Sequence, residues 1–319
     1  MCRSLIKTVA ATAIAAALSV PAMAQDISVA AVVFQQDQFF RTIELGMEAA
    51  AEAAGVELLQ GNSDSRLDRE ISLIDTYIAR GVDAIVISPI SATASIPALQ
   101  RAHNEGIVII TYNSAIDADF PASYLNSSQR DLGESTGAMA NAFIAEQFDG
   151  EANIATLGFA ALLPEISGDR VNGFLDVAGD GNTLNIVAQQ DAWLAEDAVQ
   201  VAGDIITANP DLDIIYAANE GGTVGAVQAV RNAGRQGEVF VFGIDGSDQL
   251  AGFLLDEDDV LHGVTAQQPF EMGREAVNSA LAVIAGDEVE ETVIVPVLGL
   301  MRIRPDEVIA FREALGELQ

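Results

Sequence analysis

Cysteine, lysine and tryptophan each occur once, as Cys2, Lys7 and Trp193, and histidine only as His103 and His262. A lone cysteine excludes an internal disulfide. Two histidines without cysteine partners make a poor zinc set. With no lysine after position 7, no phosphate-cradling loop with its invariant lysine can form. Positive charge is scarce overall: 15 basic side chains stand against 47 acidic ones, a net charge of −32. Such a surface repels nucleic-acid phosphates and anionic membranes. Beyond the amino terminus no run approaches the ~20 apolar residues that a membrane-spanning helix needs.

The amino terminus itself is patterned. Arg3 and Lys7 precede an apolar stretch from Thr8 to Val20, Pro21 breaks it, and Ala22-Met23-Ala24 supplies a small-x-small cleavage pattern. This order predicts a signal peptide over 1–24, export to the periplasm and a mature chain from Gln25. Cys2 lies before the apolar stretch, so it cannot serve as a lipid anchor after cleavage. The mature chain would hold 319 − 24 = 295 residues, enough for two lobes. Loss of Arg3 and Lys7 takes the charge from −32 to −34. That acidity reads as solubility in a salty medium, where screening limits self-repulsion.

From residue 27 onward, short β-branched runs alternate with helical periodicity. Strands are expected at Ile27–Phe34, Val56–Leu59, Ala84–Ser88 and Ile107–Tyr112. Helices are expected at Phe39–Ala54, Leu67–Ala79 and Ile96–Asn104, with glycines 55, 81 and 106 as stops. After a break near Asn126–Gln129 the rhythm restarts. It runs through helices Arg130–Glu146, Arg170–Val177, Asp197–Ala208 and Thr223–Ala233. The matching strands are Asn153–Gly158, Leu184–Gln189, Ile214–Ala217, Val239–Ile244 and Gly263–Ala266. Continuous apolar strands separated by helices indicate parallel sheets covered on both faces. Two such series make an α/β protein of two similar lobes.

In open α/β sheets, ligands sit beyond the carboxyl ends of the strands. The residues predicted there are Gln36, Asp37, Gln38, Phe39 and Phe40, then Asn113 and Ser114. The second series contributes Gln190, Asp191 and Trp193, then Asn219 and Glu220, then Asp245 and Gln267. Carboxylates and amides bind hydroxyl groups, and flat rings cover C–H faces, so the set suits a polyhydroxylated ligand. An anionic ligand would call for arginines, and these positions offer none. Each residue has a plainer role too: Phe39 and Phe40 can pack in the core, Trp193 can pack, and Asn113, Asn219 and Asp245 can cap helices.

With these residues in place, the chain resembles the periplasmic sugar-binding proteins of the ribose-binding type along essentially its whole mature length. The resemblance rests on Asp37-Gln38-Phe39-Phe40, Ile110-Thr111-Tyr112-Asn113 and Ala218-Asn219-Glu220 with Gly225-Ala226. It continues through Val241-Phe242-Gly243-Ile244-Asp245-Gly246 and Thr265-Ala266-Gln267-Gln268-Pro269. It implies two Rossmann-like lobes joined by a three-crossover hinge, the periplasmic-binding-protein type I fold. The expected lobes are 25–127 with 268–297 and 128–267 with 298–319. Carried over by position, Asp37, Phe39, Phe40, Asn113, Trp193, Asn219, Asp245 and Gln267 face a monosaccharide or polyol. The resemblance also implies a monomer without cofactor or metal that delivers its ligand to an inner-membrane ABC permease. Two departures matter: Ser114 and Gly168 stand about where the ribose-type pattern has arginines, and Asn113 stands where it has an acid. Ribose itself is therefore a doubtful ligand.

Three other readings compete. Gly133-Glu134-Ser135-Thr136-Gly137 matches the nucleophile elbow of α/β-hydrolases, with Asp245 and His262 following in the required order. That elbow needs a strand-to-helix turn, whereas Ser135 falls inside an expected helix whose Gly133 and Gly137 suit close packing. A transcription regulator sharing the two-lobe core would need a DNA-binding amino terminus, where a signal peptide stands instead. A sensor presenting its closed form to a membrane receptor is compatible with the sequence. The run Asp256–Asp259 lacks the spacing of a calcium loop and reads as a solvated turn.

Overall fold

The computed structural model describes residues 27–317, and the expected signal peptide lies outside the described residues. The chain builds two six-stranded sheets. The first series is β1 (Ser28–Val33), α1 (Gln38–Ala54), β2 (Glu57–Asn62), α2 (Leu67–Arg80), β3 (Ala84–Ile87), α3 (Ile96–Asn104), β4 (Val108–Tyr112) and β5 (Ser123–Asn126). The second opens with α4 (Gln129–Gln147), β6 (Glu151–Gly158), α5 (Pro164–Ala178), β7 (Thr183–Asp191) and α6 (Ala195–Ala208). It continues with β8 (Ile214–Ala217), α7 (Glu220–Ala233), β9 (Phe240–Ile244), α8 (Asp248–Leu255) and β10 (Leu261–Ala266). The chain then returns to the first sheet with α9 (Pro269–Ala285) and β11 (Thr292–Ile294). It ends in the second with β12 (Leu298–Met301) and α10 (Pro305–Glu317).

Sheet order is β11-β5-β4-β3-β1-β2 in the first lobe and β12-β10-β9-β8-β6-β7 in the second. The chain therefore passes between lobes three times, at 127–128, 267–268 and 295–297. All pairings are parallel except one: β12 runs antiparallel to β10. The sequence reading had both sheets parallel. The exception follows from the last crossover, whose three residues leave no room for the helix that a parallel return requires.

Local causes are visible at the element ends. Gly55 and Gly81 adopt φ of 68° and 69°, the left-handed conformation that closes α1 and α2 and that other residues adopt only at a cost. Central strands are buried on both faces, with Val29–Val33 and Ala84–Ile87 at most 2 % exposed, which is why they read as unbroken apolar runs. Helices pair through glycines. A Cβ on Gly133 would stand 2.1 Å from the Arg170 carbonyl, so α4 and α5 touch backbone to backbone; Gly46 and Gly273 do the same for α1 and α9.

Several element boundaries differ from the sequence reading, and two of the differences involve α5 and β7 near the site. Helix α5 begins at Pro164, not Arg170, because Pro at the first position and Glu165 in the first turn start it early. Strand β7 runs through Gln190 to Asp191, so those residues finish a strand instead of following it.

Candidate functional site

The carboxyl ends of both sets of strands face one another across a cleft of about 940 Å³. All eight residues singled out in the sequence line it: Asp37, Phe39, Phe40 and Asn113 from the first lobe, and Trp193, Asn219, Asp245 and Gln267 from the second and its crossover.

On the first-lobe wall, Asp37 caps α1, one carboxylate oxygen accepting from the Phe40 amide at 2.9 Å. Its other oxygen accepts from the Gln35 side chain. Phe40 is 2 % exposed. It packs edge-on between Phe34 and Phe39, with ring centroids 4.5 and 5.3 Å away. Phe40 thus supports the wall, and Phe39 forms more of its surface. Asn113 directly follows β4, at φ 59°, and its side-chain amide is held only by a long 3.4 Å bond to Ser88 Oγ.

The second-lobe wall is more tightly held. Asn219 caps α7 by accepting from the Gly222 amide at 3.2 Å. Its Nδ2 donates to the Trp193 carbonyl at 2.8 Å, which fixes the loop that presents the indole. Trp193 is 42 % exposed and rests edge-on against Phe159 at 5.0 Å. Asp245 sits at φ 81°. Its Oδ2 accepts from the Glu220 amide at 3.0 Å, at the positive end of α7. Its own following helix, α8, is capped by Ser247 instead.

The expectation that the cleft holds no arginine is wrong. Arg170 lines it while being only 8 % exposed. Its Nε donates to Gln129 Oε1 at 2.8 Å and its Nη1 to the Ala218 carbonyl at 2.9 Å. The guanidinium carbon lies 5.6 Å from the Phe159 ring centroid. Arg170 lies two residues beyond Gly168, the position at which the resemblance suggests the arginine, and Ser114 is not part of the cleft wall. Beneath Arg170, Tyr216 donates to its carbonyl at 3.1 Å. Burial pushes the Tyr216 hydroxyl well above the usual tyrosine value; Arg170 draws it down and Asp245 pushes it up. It stays a proton donor and a fixed support.

Other sequence candidates fall elsewhere. Asp191 accepts from the Ala160 and Ala161 amides at 3.0 and 2.6 Å, so it ties down the loop before α5. Ser135 lies inside α4, where its Oγ accepts from Thr265 Oγ1 at 3.1 Å. No strand-to-helix elbow presents it, and the hydrolase reading fails on that geometry. His262 is packed against Phe143 and Phe240 at centroid distances of 4.5 and 4.9 Å. Among the described residues no group of three or more His, Cys, Asp or Glu could hold a metal ion, and no helix is long and apolar enough to cross a membrane.

The wall therefore offers carboxylates as acceptors, a guanidinium as donor, amides that do both, and aromatic rings at its edges. Such a set grips hydroxyl groups around a compact ring or chain. The family model described as periplasmic binding protein domain matches residues 27–288. The ABC transporter periplasmic-binding protein YphF of Escherichia coli is 30% identical over 282 residues, covering 86% of this chain and 85% of the relative. The ribose import binding protein RbsB of Bacillus subtilis is 27% identical over 262 residues, covering 81% of each. A crystal structure of a periplasmic solute-binding protein from Actinobacillus succinogenes with bound D-allose superposes with a TM-score of 0.73. It is 27% identical and covers 88% of this chain and 99% of that one.

Proposed function

Because the chain belongs to the periplasmic binding protein family, it is the substrate-binding component of an ABC transporter, and we propose that it takes a monosaccharide or polyol into the cleft between its lobes. The observation that carries this reading is the convergence of Asp37, Asn113, Arg170, Asn219, Asp245 and Gln267 on one cleft from both sheets. Relatives that bind ribose and D-allose support the ligand class.

Mechanistically, the second-lobe wall comes already assembled: Arg170, Asn219 and Asp245 are each anchored by protein hydrogen bonds. Ligand hydroxyls donate to the free oxygen of Asp245 and accept from the uncommitted nitrogen of Arg170. Trp193 and Phe39 cover apolar faces from opposite lobes. A ligand touching both walls binds the closed arrangement better than the open one, and that difference drives rotation about the three crossovers. The moving bodies are taken as 25–127 with 268–297 and 128–267 with 298–319. The closed form is what an inner-membrane permease would receive from a monomeric, non-enzymatic carrier. The segment 1–24 directs export and is removed after Ala24.

A thermal-shift panel of pentoses, hexoses, tetritols, pentitols and inositols tests this. A ligand at about 100 times its dissociation constant adds about 2.7 kcal/mol to stability. At least one strong shift is expected. A folded protein that answers none of the panel would overturn the ligand class.

A further inference from the structure

Resting on the sugar reading, we propose that the ligand carries an apolar substituent, seated in a hydrophobic chamber beside Asp245 on the crossover side of the cleft. The cleft volume of about 940 Å³ lies at the top of the range of about 300–1,000 Å³ for small-molecule pockets. The polar groups described above account for only part of its wall. The rest includes an apolar group, Phe270 from α9, Leu298 from β12, and Phe311 and Leu315 from α10, beside polar neighbours such as Ser247, Gln268 and Glu271.

Three observations make this a ligand subsite. It is continuous with the polar site: a Cβ built on Gly246 would come within 2.7 Å of the Phe311 ring, so the apolar wall begins one residue after Asp245. It is held in place, because α10 is tied to α8 by Arg312 Nε on Asp248 Oδ1 at 2.8 Å. And it is uncovered, with Leu298 37 % exposed although it opens a strand next to a crossover.

Closure does not remove the chamber. Leu298 follows the crossover 295–297 directly, and Phe270 stands two residues after 267–268. Points near a rotation axis move least, so these walls stay nearly fixed while the outer rim around Trp193 and Phe34 closes. A bare sugar would leave the chamber wet. An alkyl or aryl group on one end of the sugar would displace that water and bury both apolar surfaces. The chemical class is accordingly a glycoside or an alkylated polyol, its hydroxyls on Asp245 and Arg170 and its apolar group against Phe311 and Leu298.

Isothermal titration of the whole mature chain with D-ribose, D-allose and xylitol, and with the methyl and phenyl glycosides of the two sugars, tests the inference. A phenyl glycoside should bind about tenfold or more tightly than its parent, with the methyl glycoside between. In Leu298→Ser and Leu315→Ser proteins the ratio of parent to phenyl-glycoside dissociation constants should fall toward one. Parent compounds that bind as well as the glycosides, or a ratio that survives both substitutions, overturn the inference and leave the sugar reading standing. Binding of none of these compounds overturns both.

Discussion

Asp245 is the residue at which a binding effect separates most cleanly from a folding effect. It sits at φ 81°, a conformation that Asn tolerates and that costs other residues about 1–2 kcal/mol. One carboxylate oxygen accepts from the Glu220 amide at 3.0 Å, which leaves the other for a ligand. In Asp245→Asn the side-chain carbonyl keeps the Glu220 bond and the backbone keeps its conformation, while the free carboxylate oxygen becomes an NH2 donor, on which a ligand hydroxyl must accept instead of donate. Hydrogen bonds to a charged group are worth about 1.5–3 kcal/mol net and neutral ones about 0.5–1.5 kcal/mol. The exchange therefore removes about 1–1.5 kcal/mol of binding, close to tenfold in dissociation constant. Asp245→Ala removes the whole ligand bond, roughly 10- to 150-fold, and adds backbone strain and an unpartnered Glu220 amide. Titration calorimetry with the best ligand of the panel, beside thermal melts of both apo proteins, reads the two effects separately. A folded Asp245→Asn protein within twofold of the parent affinity would refute the placement of this carboxylate on the ligand.

Asn219→Ala should lose both stability and affinity: removal of the α7 cap costs about 1 kcal/mol, and the freed Trp193 loop no longer presents its ring. An apo melting temperature equal to that of the parent would contradict the capping role. Gly133→Ala must push α5 off α4, since its Cβ would stand 2.1 Å from the Arg170 carbonyl. Overpacking of about 1–3 kcal/mol should lower the melting temperature by several degrees, and an unchanged melt would show that the helices are not in contact. His262 yields a pH signature. Burial is the main cause that lowers its value below the usual histidine range; Arg302 lowers it further and Asp259 opposes both. Between the folded value and the unfolded one near 6.5, the unfolded chain binds more protons. This contribution is therefore complete above about pH 6.5 and is lost as pH falls through the folded value. A His262→Gln protein should lose less stability than the parent between pH 7.5 and 5.5; equal losses would refute the assignment.

How much of this was legible in the sequence depended on burial. Strands covered on both faces, such as Val29–Val33 and Ile214–Ala217, leave unbroken apolar runs, and glycine stops marked the ends of α1 and α2. The edge strand β7 carries mostly exposed side chains over Thr183–Asp191, so no apolar run marks its end, and Asp191 closes the strand instead of following it. Strands β5, β11 and β12 are as short as β3 and β8 but only partly buried, so they leave no unbroken apolar run, and they pair only because the crossovers bring them to the sheets. Arg170 is hard to place from the sequence because the apolar period alone starts α5 at its position instead of at Pro164. The usable signal was Pro164 followed by Glu165, a helix opening that puts Arg170 in the second turn, facing the cleft. The apolar part of the wall was invisible for a different reason: Phe270, Leu298 and Phe311 come from three late elements, and only the folded chain brings them to the same cleft as Asp245.

The plain and functional readings of the tip residues turned out not to be rivals. In a parallel α/β lobe each strand end leads into a helix start, so capping residues and cleft residues occupy the same ring of positions. Asp37 and Asn219 cap α1 and α7 and line the cleft as well. What separates them from Asp245 is how much of each side chain remains free. Asn219 uses its oxygen on Gly222 and its nitrogen on Trp193, and at 5 % exposure it has little left to offer beyond one N–H. Asp37 has both oxygens engaged by Phe40 and Gln35, though the Gln35 contact lies at the exposed rim and can be exchanged for a ligand hydroxyl. Asp245 alone of the three keeps a carboxylate oxygen without a protein donor. On the proposed reading, the carboxylate acceptor for a ligand hydroxyl would therefore be Asp245, on the second-lobe wall that also carries Arg170. The first lobe, where one long bond holds the Asn113 side chain, would on the same reading contribute the apolar face of Phe39 and the amide of Asn113.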